Sequence, residues 1–232
     1  MVTSVNDASI PVSMPLSSPA TRVPRSVGVF GGSFDPIHYG HLRMALEAKR
    51  SLGLDDMRLM PCYQSPHKGS PGASALQRLR MLSIAVEHTH ELTVDARELQ
   101  REGPSYTADT LASLRLELGE ATSIVLLMGV DAYQQLDCWH QWESLRHLAH
   151  IAIVTRPGFS WPEQGVLSQW LANADTPDIV QLQPFGGLVV LAQGLLTISA
   201  TAIREELAND QLPHYLLPEP VLDYIQTEHL YR

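Results

Sequence analysis

The sequence predicts an α/β fold: a doubly wound parallel sheet of Rossmann-like type in a single domain. Three observations carry this reading. Short apolar runs alternate with segments whose apolar residues recur at helical spacing. Several of those runs show no in/out alternation, as expected of strands buried on both faces. Beyond the first 25 residues, no internal repeat or shift in composition marks a second domain.

Each element follows in chain order. Residues 1–25, MVTSVNDASIPVSMPLSSPATRVPR, are rich in Pro, Ser and Thr and lack the apolar block of a signal peptide. They read as a disordered tail, which leaves 26–232 as the domain. VGVF (27–30) is the first predicted strand, and Leu42, Ala45 and Leu46 share one face of the helix after it. MRLMP (57–61) is the second strand, followed by a helix with Leu76, Leu79 and Leu82 on one face. LTVD (92–95) is the third, followed by Leu111, Leu114 and Leu118 on a helix. SIVLLMG (123–129) and IAIVTR (151–156) flank a short helix at Leu145 and Leu148. Residues 157–187 are the least regular and read as a peripheral excursion. LVVLA (188–192) is the last strand. Helices are expected near 199–209 and 218–230, the latter with Val221, Leu222 and Ile225 together. Strand–helix repetition of this kind makes a parallel sheet covered on both faces. Ligands of such sheets sit beyond the carboxyl ends of the strands, where the strand order reverses.

Composition narrows the function. A chain of 232 residues, 44% hydrophobic, builds one sizeable core or at most two small ones. A formal charge of −9 argues against a broad nucleic-acid surface, although small anions bind where local groups override the field. Cys62 and Cys138 lie far apart, in no metal-ligand spacing. They read as free thiols in a reducing, cytoplasmic compartment, without a catalytic role. No apolar run reaches the ~18 residues of a membrane span.

GGSFDPIHYGHL (31–42) follows the first strand and opens the first helix. Gly31 and Gly32 lack a Cβ, so the backbone there can turn sharply and meet a ligand closely. Their N–H groups and the helix N-terminus suit an anion. His38 and His41, three apart, can share a helix face. A zinc site would need further ligands, and no nearby Cys or Glu completes a set. Ser33 lies in no nucleophile-elbow context. Phosphate contact is the best physical fit, since imidazoles donate N–H groups and a polyanion favours their protonation. A second stretch, ISATAIR (198–204), offers Ser199 as an N-cap, hydroxyls of Ser199 and Thr201 for phosphate, and Arg204 as a fixed cation about one turn on.

These two stretches, in this order, resemble the H-x-G-H and I-S-x-T-x-I-R motifs of the nucleotidylyltransferase superfamily. Further segments are similar to the bacterial nicotinate mononucleotide adenylyltransferases: MPCYQSPHKGS (60–70), REGPSYTADTL (101–111), MGVDAYQQLDCWHQWESL (128–145), IVTRPG (153–158) and LPEPVLDYIQTEHLY (217–231). The likeness runs from about Val27 to the C-terminus and lapses in the tail and across 159–187. Ser33 stands where that family often has threonine.

The resemblance implies adenylyl transfer from ATP to nicotinate mononucleotide, giving deamido-NAD and pyrophosphate. It assigns Gly31, Gly32, Ser33, Phe34, His38, His41, Asp131, Ser199, Thr201 and Arg204 to ATP. His41, His38, Arg204 and Lys68 are the catalytic cations and donors. Lys68 would ride on a mobile lid, and Arg156 lies near the crevice. The amides of Ser105, Tyr106 and Thr107 would hold the pyridine carboxylate, as a helix N-terminus favours an anion. Simple capping by Ser105 or Thr107 is the plainer alternative, as capping is for Asp131. Trp139 would stack on the pyridine ring, whereas Trp142 has core spacing with Leu145. Magnesium is expected with ATP as substrate, without a protein metal cage. No membrane or nucleic-acid partner is implied, and a homo-oligomer is left open. Two alternatives remain: another acceptor, such as nicotinamide mononucleotide, or a nucleotide-binding module without turnover.

Overall fold

A computed structural model describes residues 25–64, 72–101, 103–155, 160–192 and 196–232. The chain runs β1 (Ser26–Gly32), α1 (Tyr39–Leu52), β2 (Asp56–Pro61), α2 (Ala75–Val86), β3 (Thr93–Val94), α3 (Thr107–Leu118) and β4 (Ser123–Gly129). It continues through α4 (Val130–Tyr133), α5 (Leu145–Leu148), β5 (His150–Val154), α6 (Gly165–Ala172), α7 (Ile179–Leu182), β6 (Leu188–Leu191), α8 (Ala200–Ala208) and α9 (Glu219–Thr227). The six strands form one sheet in the order β3-β2-β1-β4-β5-β6, with every pairing parallel. The order reverses between β1 and β4, so the crevice for a ligand lies over their carboxyl ends.

Alternate residues of each strand feed two cores. Met57, Leu59, Val125, Leu127, Ala152 and Val154 pack under α1, α2, α8 and α9. Val27, Val29, Ile124, Leu126, Ile151 and Ile153 pack under α3, α5 and α6. Burial on both faces is why these runs carry apolar residues without alternation. β4 is buried along its whole length.

Two expectations need correction. Leu76 is 74% exposed, so Leu76, Leu79 and Leu82 do not form the buried face of α2. The inward stripe is Arg78, Met81, Leu82 and Val86. Steps of i, i+3, i+6 drift around a helix, whereas i, i+3, i+4, i+8 hold one side, and a polar name at 78 hides the true stripe. Residues 157–187, in turn, are less peripheral than expected. Their described part contains α6 and α7, with Leu167 and Val180 buried. The fully buried Tyr133 donates its hydroxyl to the Leu167 carbonyl at 2.8 Å. Burial pushes that phenol up to about 12.

His150, at the start of β5, is fully buried. Its Nδ1 accepts the Gly187 N–H at 2.9 Å and its Nε2 sits 2.8 Å from the Gln183 carbonyl, which only the neutral ring with the proton on Nε2 satisfies. Burial lowers its pKa from the ordinary histidine value. The unfolded chain therefore takes up the second ring proton, the one that makes the cation, at a higher pH than the fold does. The stabilisation is present above the unfolded pKa of about 6.5 and is lost as pH falls through it toward the folded pKa. Urea midpoints measured from pH 7.5 to 5 should fall for the natural protein and fall less steeply for His150→Gln.

Candidate active site

Gly31 and Gly32 do not make the turn expected of them. Both stay extended and pair with Met60 and Pro61. A Cβ on Gly31 would meet nothing within 4 Å, so its exposed face fronts open space. The chain turns at Asp35 and Pro36, directly after Phe34, which takes φ +48°. That is a costly conformation for a bulky residue, and it is held by burial of the ring. Phe34 is 1% exposed and stands edge-on to Phe30 at 5.6 Å and to His41 at 5.2 Å. Its side chain props the loop from beneath.

His38 is the N-cap of α1. It has extended backbone (φ −148°), and its Nδ1 accepts the His41 N–H at 3.3 Å. The two imidazoles stack at 3.6 Å, tilted 21°. Gly40 between them is tightly enclosed. A Cβ there would lie 3.0 Å from the His38 ring and 3.4 Å from Ile198 Cβ. The loop after β1 and the segment entering α8 are thus in contact.

Arg204 completes that junction. Its Nη1 donates to the Asp35 main-chain carbonyl at 2.7 Å and its Nη2 to Thr201 Oγ1 at 3.3 Å. Ser199 caps α8, accepting the Ala202 N–H at 3.5 Å. Gly31, Gly32, Ser33, Phe34, His38, His41, Ser199, Thr201 and Arg204 therefore gather at the carboxyl end of β1. Asp131 lies in the first turn of α4, after β4, across the switch point. Gly129 is the N-cap there, so Asp131 is not the capping residue.

The segment that the resemblance assigns to the pyridine nucleotide meets the end of β2. Ser105 does not cap α3: its Oγ accepts the Tyr63 N–H and its own N–H donates to the Gln64 carbonyl, both at 3.0 Å. Tyr106 is the N-cap without a side-chain bond, and Thr107 is the first helical residue, so neither alternative cap forms. The α3 N-terminus is left to its amides. The Tyr106 ring lies 4.3 Å from that of His140, next to Trp139, which is half-buried against the second core. Trp142 packs there too, also half-buried. Beneath them burial raises the pKa of Glu98, whose Oε1 accepts Thr110 Oγ1–H at 2.6 Å. Lys68 and Arg156 lie outside the described residues.

Three supporting residues escaped sequence reading. Asp35 is buried and accepts the N–H groups of Gly72 (2.8 Å) and Ala73 (3.1 Å) and the hydroxyl of Tyr231 (2.8 Å). Arg78, fully buried, donates to the carbonyls of Ser33 (2.6 Å), Cys62 (2.8 Å) and Tyr63 (3.1 Å). Asp35 and Tyr231 carried a signal, each lying inside a quoted segment, whereas Arg78 carried none. A groove of about 570 Å³ opens elsewhere, at the β3 edge, lined by Arg58, Asp95, Arg97 and Glu117. Its arginines are paired with carboxylates at 3.2 Å or less, which leaves it no net invitation to phosphate.

Glycine backbone, stacked histidines and an arginine meet at a sheet switch point, a set of donors suited to phosphate groups. The family model described as Cytidylyltransferase-like matches residues 29–206. A "probable nicotinate-nucleotide adenylyltransferase" of Cellvibrio japonicus is 48% identical over 208 residues, covering 89% of this chain and 99% of its own. One of Dechloromonas aromatica is 45% identical, covering 89% and 97%. The chain belongs to the nicotinate-nucleotide adenylyltransferase family. The Plasmodium falciparum nicotinic acid mononucleotide adenylyltransferase, solved with NaAD, shares the fold: TM-score 0.68 at 18% identity, over 89% of this chain and 97% of that one.

Proposed function

We propose that the protein transfers the adenylyl group of ATP to nicotinate mononucleotide, with release of pyrophosphate and formation of deamido-NAD. The observation that carries this reading is the junction of the His38–His41 stack with Arg204 over the end of β1. The α3 N-terminus, without a side-chain cap, is tied to the end of the neighbouring strand β2 through Ser105 and Tyr63.

The 5′-phosphate of the mononucleotide attacks the α-phosphorus of ATP in line. Its second pKa is about 6, so near neutrality it is mostly a dianion and needs no base. The histidines act as donors to phosphoryl oxygens, where charge gathers in the transition state and on leaving pyrophosphate. Arg204 holds the triphosphate, and Lys68 adds a second cation. Among the described residues no group of three or more His, Cys, Asp or Glu is placed to hold a metal. Magnesium enters with ATP as part of the substrate. A cytoplasmic site of action belongs to the same proposal; of the tail expected over 1–25, all but Arg25 lies outside the described residues. No helix among the described residues is long and apolar enough to cross a membrane.

The test is pyrophosphate release from ATP with nicotinate mononucleotide, nicotinamide mononucleotide and phosphopantetheine in turn. Release should be fastest with the first. No release with any acceptor would mark a binding module without turnover. Trp139→Ala should raise KM for the mononucleotide on the order of tenfold, the worth of one stacked ring, and leave KM for ATP nearly unchanged.

A further inference from the structure

The Asp35 carboxylate is crowded by neutral donors. Oδ1 takes the Ala73 N–H and the Tyr231 hydroxyl, and Oδ2 takes the Gly72 N–H. The Arg204 guanidinium lies beside it, with Nη1 3.9 Å from Oδ2, outside hydrogen-bond reach. An arginine next to a buried carboxylate ordinarily closes into a two-pronged ion pair. Here it turns aside to the Asp35 carbonyl and Thr201, and its side chain stays 33% exposed.

The packing shows what holds this arrangement. A Cβ on Gly72 would lie 2.9 Å from Tyr231 Cδ1 and Cε1 and 3.5 Å from Arg204 Cδ, so the glycine, the tyrosine ring and the arginine stem are packed together. Tyr231 sits in the left-handed region at φ +64°, a strained state for an aromatic residue. Such strain persists where the surroundings over-determine it.

We propose that Tyr231 is a positioning residue: by occupying Oδ1 of Asp35 it denies Arg204 the two-pronged pair with that carboxylate and keeps the guanidinium turned to the phosphates of ATP. The inference rests on the assignment of Arg204 to those phosphates. Burial and the adjacent Asp35 push the Tyr231 phenol well above its ordinary pKa, so the hydroxyl remains a donor at every working pH.

The experiment is calorimetric binding of ATP alone, and of nicotinate mononucleotide alone, to the full chain and to Tyr231→Phe, Arg204→Gln and the double variant. Tyr231→Phe should weaken ATP about five- to tenfold and leave the mononucleotide Kd unchanged. Because Tyr231 acts through Arg204, the double variant should bind ATP no more weakly than Arg204→Gln alone. Gly72→Ala, which pushes the ring aside, should repeat the effect and serves if Tyr231→Phe does not fold. Unchanged ATP affinity in Tyr231→Phe, equal weakening of both ligands, or losses that add in the double variant would overturn the inference. If Arg204→Gln binds ATP like the natural protein, the assignment of Arg204 falls and the inference with it. These binding readouts are independent of turnover, so absence of pyrophosphate release would sink the proposed reaction without touching this result.

Discussion

His41→Ala should lower kcat by about 10²- to 10³-fold, roughly 3–4 kcal/mol of barrier, with KM for either substrate changed much less. The ratio follows from where charge gathers: the ground-state triphosphate is held by several groups, whereas developing charge on the departing pyrophosphate needs a placed donor. The adjacent histidine needs a different experiment, because His38 has two jobs. Its Nδ1 accepts the His41 N–H as the cap of α1, and its ring supports the His41 ring at 3.6 Å. His38→Ala loses a cap worth about 1 kcal/mol and also lets His41 move. Asparagine restores a capping oxygen without an imidazole. His38→Asn should therefore recover the thermal midpoint lost in His38→Ala while leaving kcat depressed. Near-natural turnover in folded His41→Ala would remove the histidine from the chemistry.

How the fold and site read from sequence depends on the range over which each feature is decided. β4 and β5 were legible because burial on both faces leaves an apolar run with no alternation. β3 is only Thr93–Val94, shorter than LTVD. It is an edge strand, and Asp95 beyond it turns to Arg97 and Arg58. Burial alone would raise the Asp95 carboxyl, but those hydrogen bonds outweigh it and hold the pKa below the usual value. The glycine–histidine loop was legible as a place, since its residue types are unusual for a strand-to-helix connection. The role of His38 as a cap was not, because capping depends on an extended φ that no residue name reveals. The junction of Asp35 with Tyr231 spans 196 positions and exists only once α9 has packed beside α2. Arg78 was hidden by its own chemistry: a cation on a helix is read as solvated, and here it is fully buried beneath the site.

Arg78→Met shows what that enclosure is for. Methionine keeps much of the apolar stem and removes the guanidinium, leaving the carbonyls of Ser33, Cys62 and Tyr63 without this donor. Ser33 belongs to the loop after β1, and Cys62 and Tyr63 to the end of β2, so the arginine ties two neighbouring strand ends together beside the glycine–histidine loop. Hydrogen bonds from a charged donor contribute about 1.5–3 kcal/mol each, and a buried carbonyl left unpaired costs on a similar scale. Desolvating the cation offsets part of this. A net loss of roughly 3 kcal/mol is expected, which for a chain of this size lowers the thermal midpoint by about 6–12 °C. Lysine at 78 retains the charge but not the planar fork that reaches three carbonyls at once, and should recover no more than half of the midpoint. Well below the midpoint, where Arg78→Met is folded, the loop at Ser33 is no longer held to β2. KM for ATP should then rise several-fold more than KM for the mononucleotide. A variant as stable as the natural protein, with both KM values unchanged, would mean that desolvation cancels the three bonds and that the strand ends hold their places through the sheet alone.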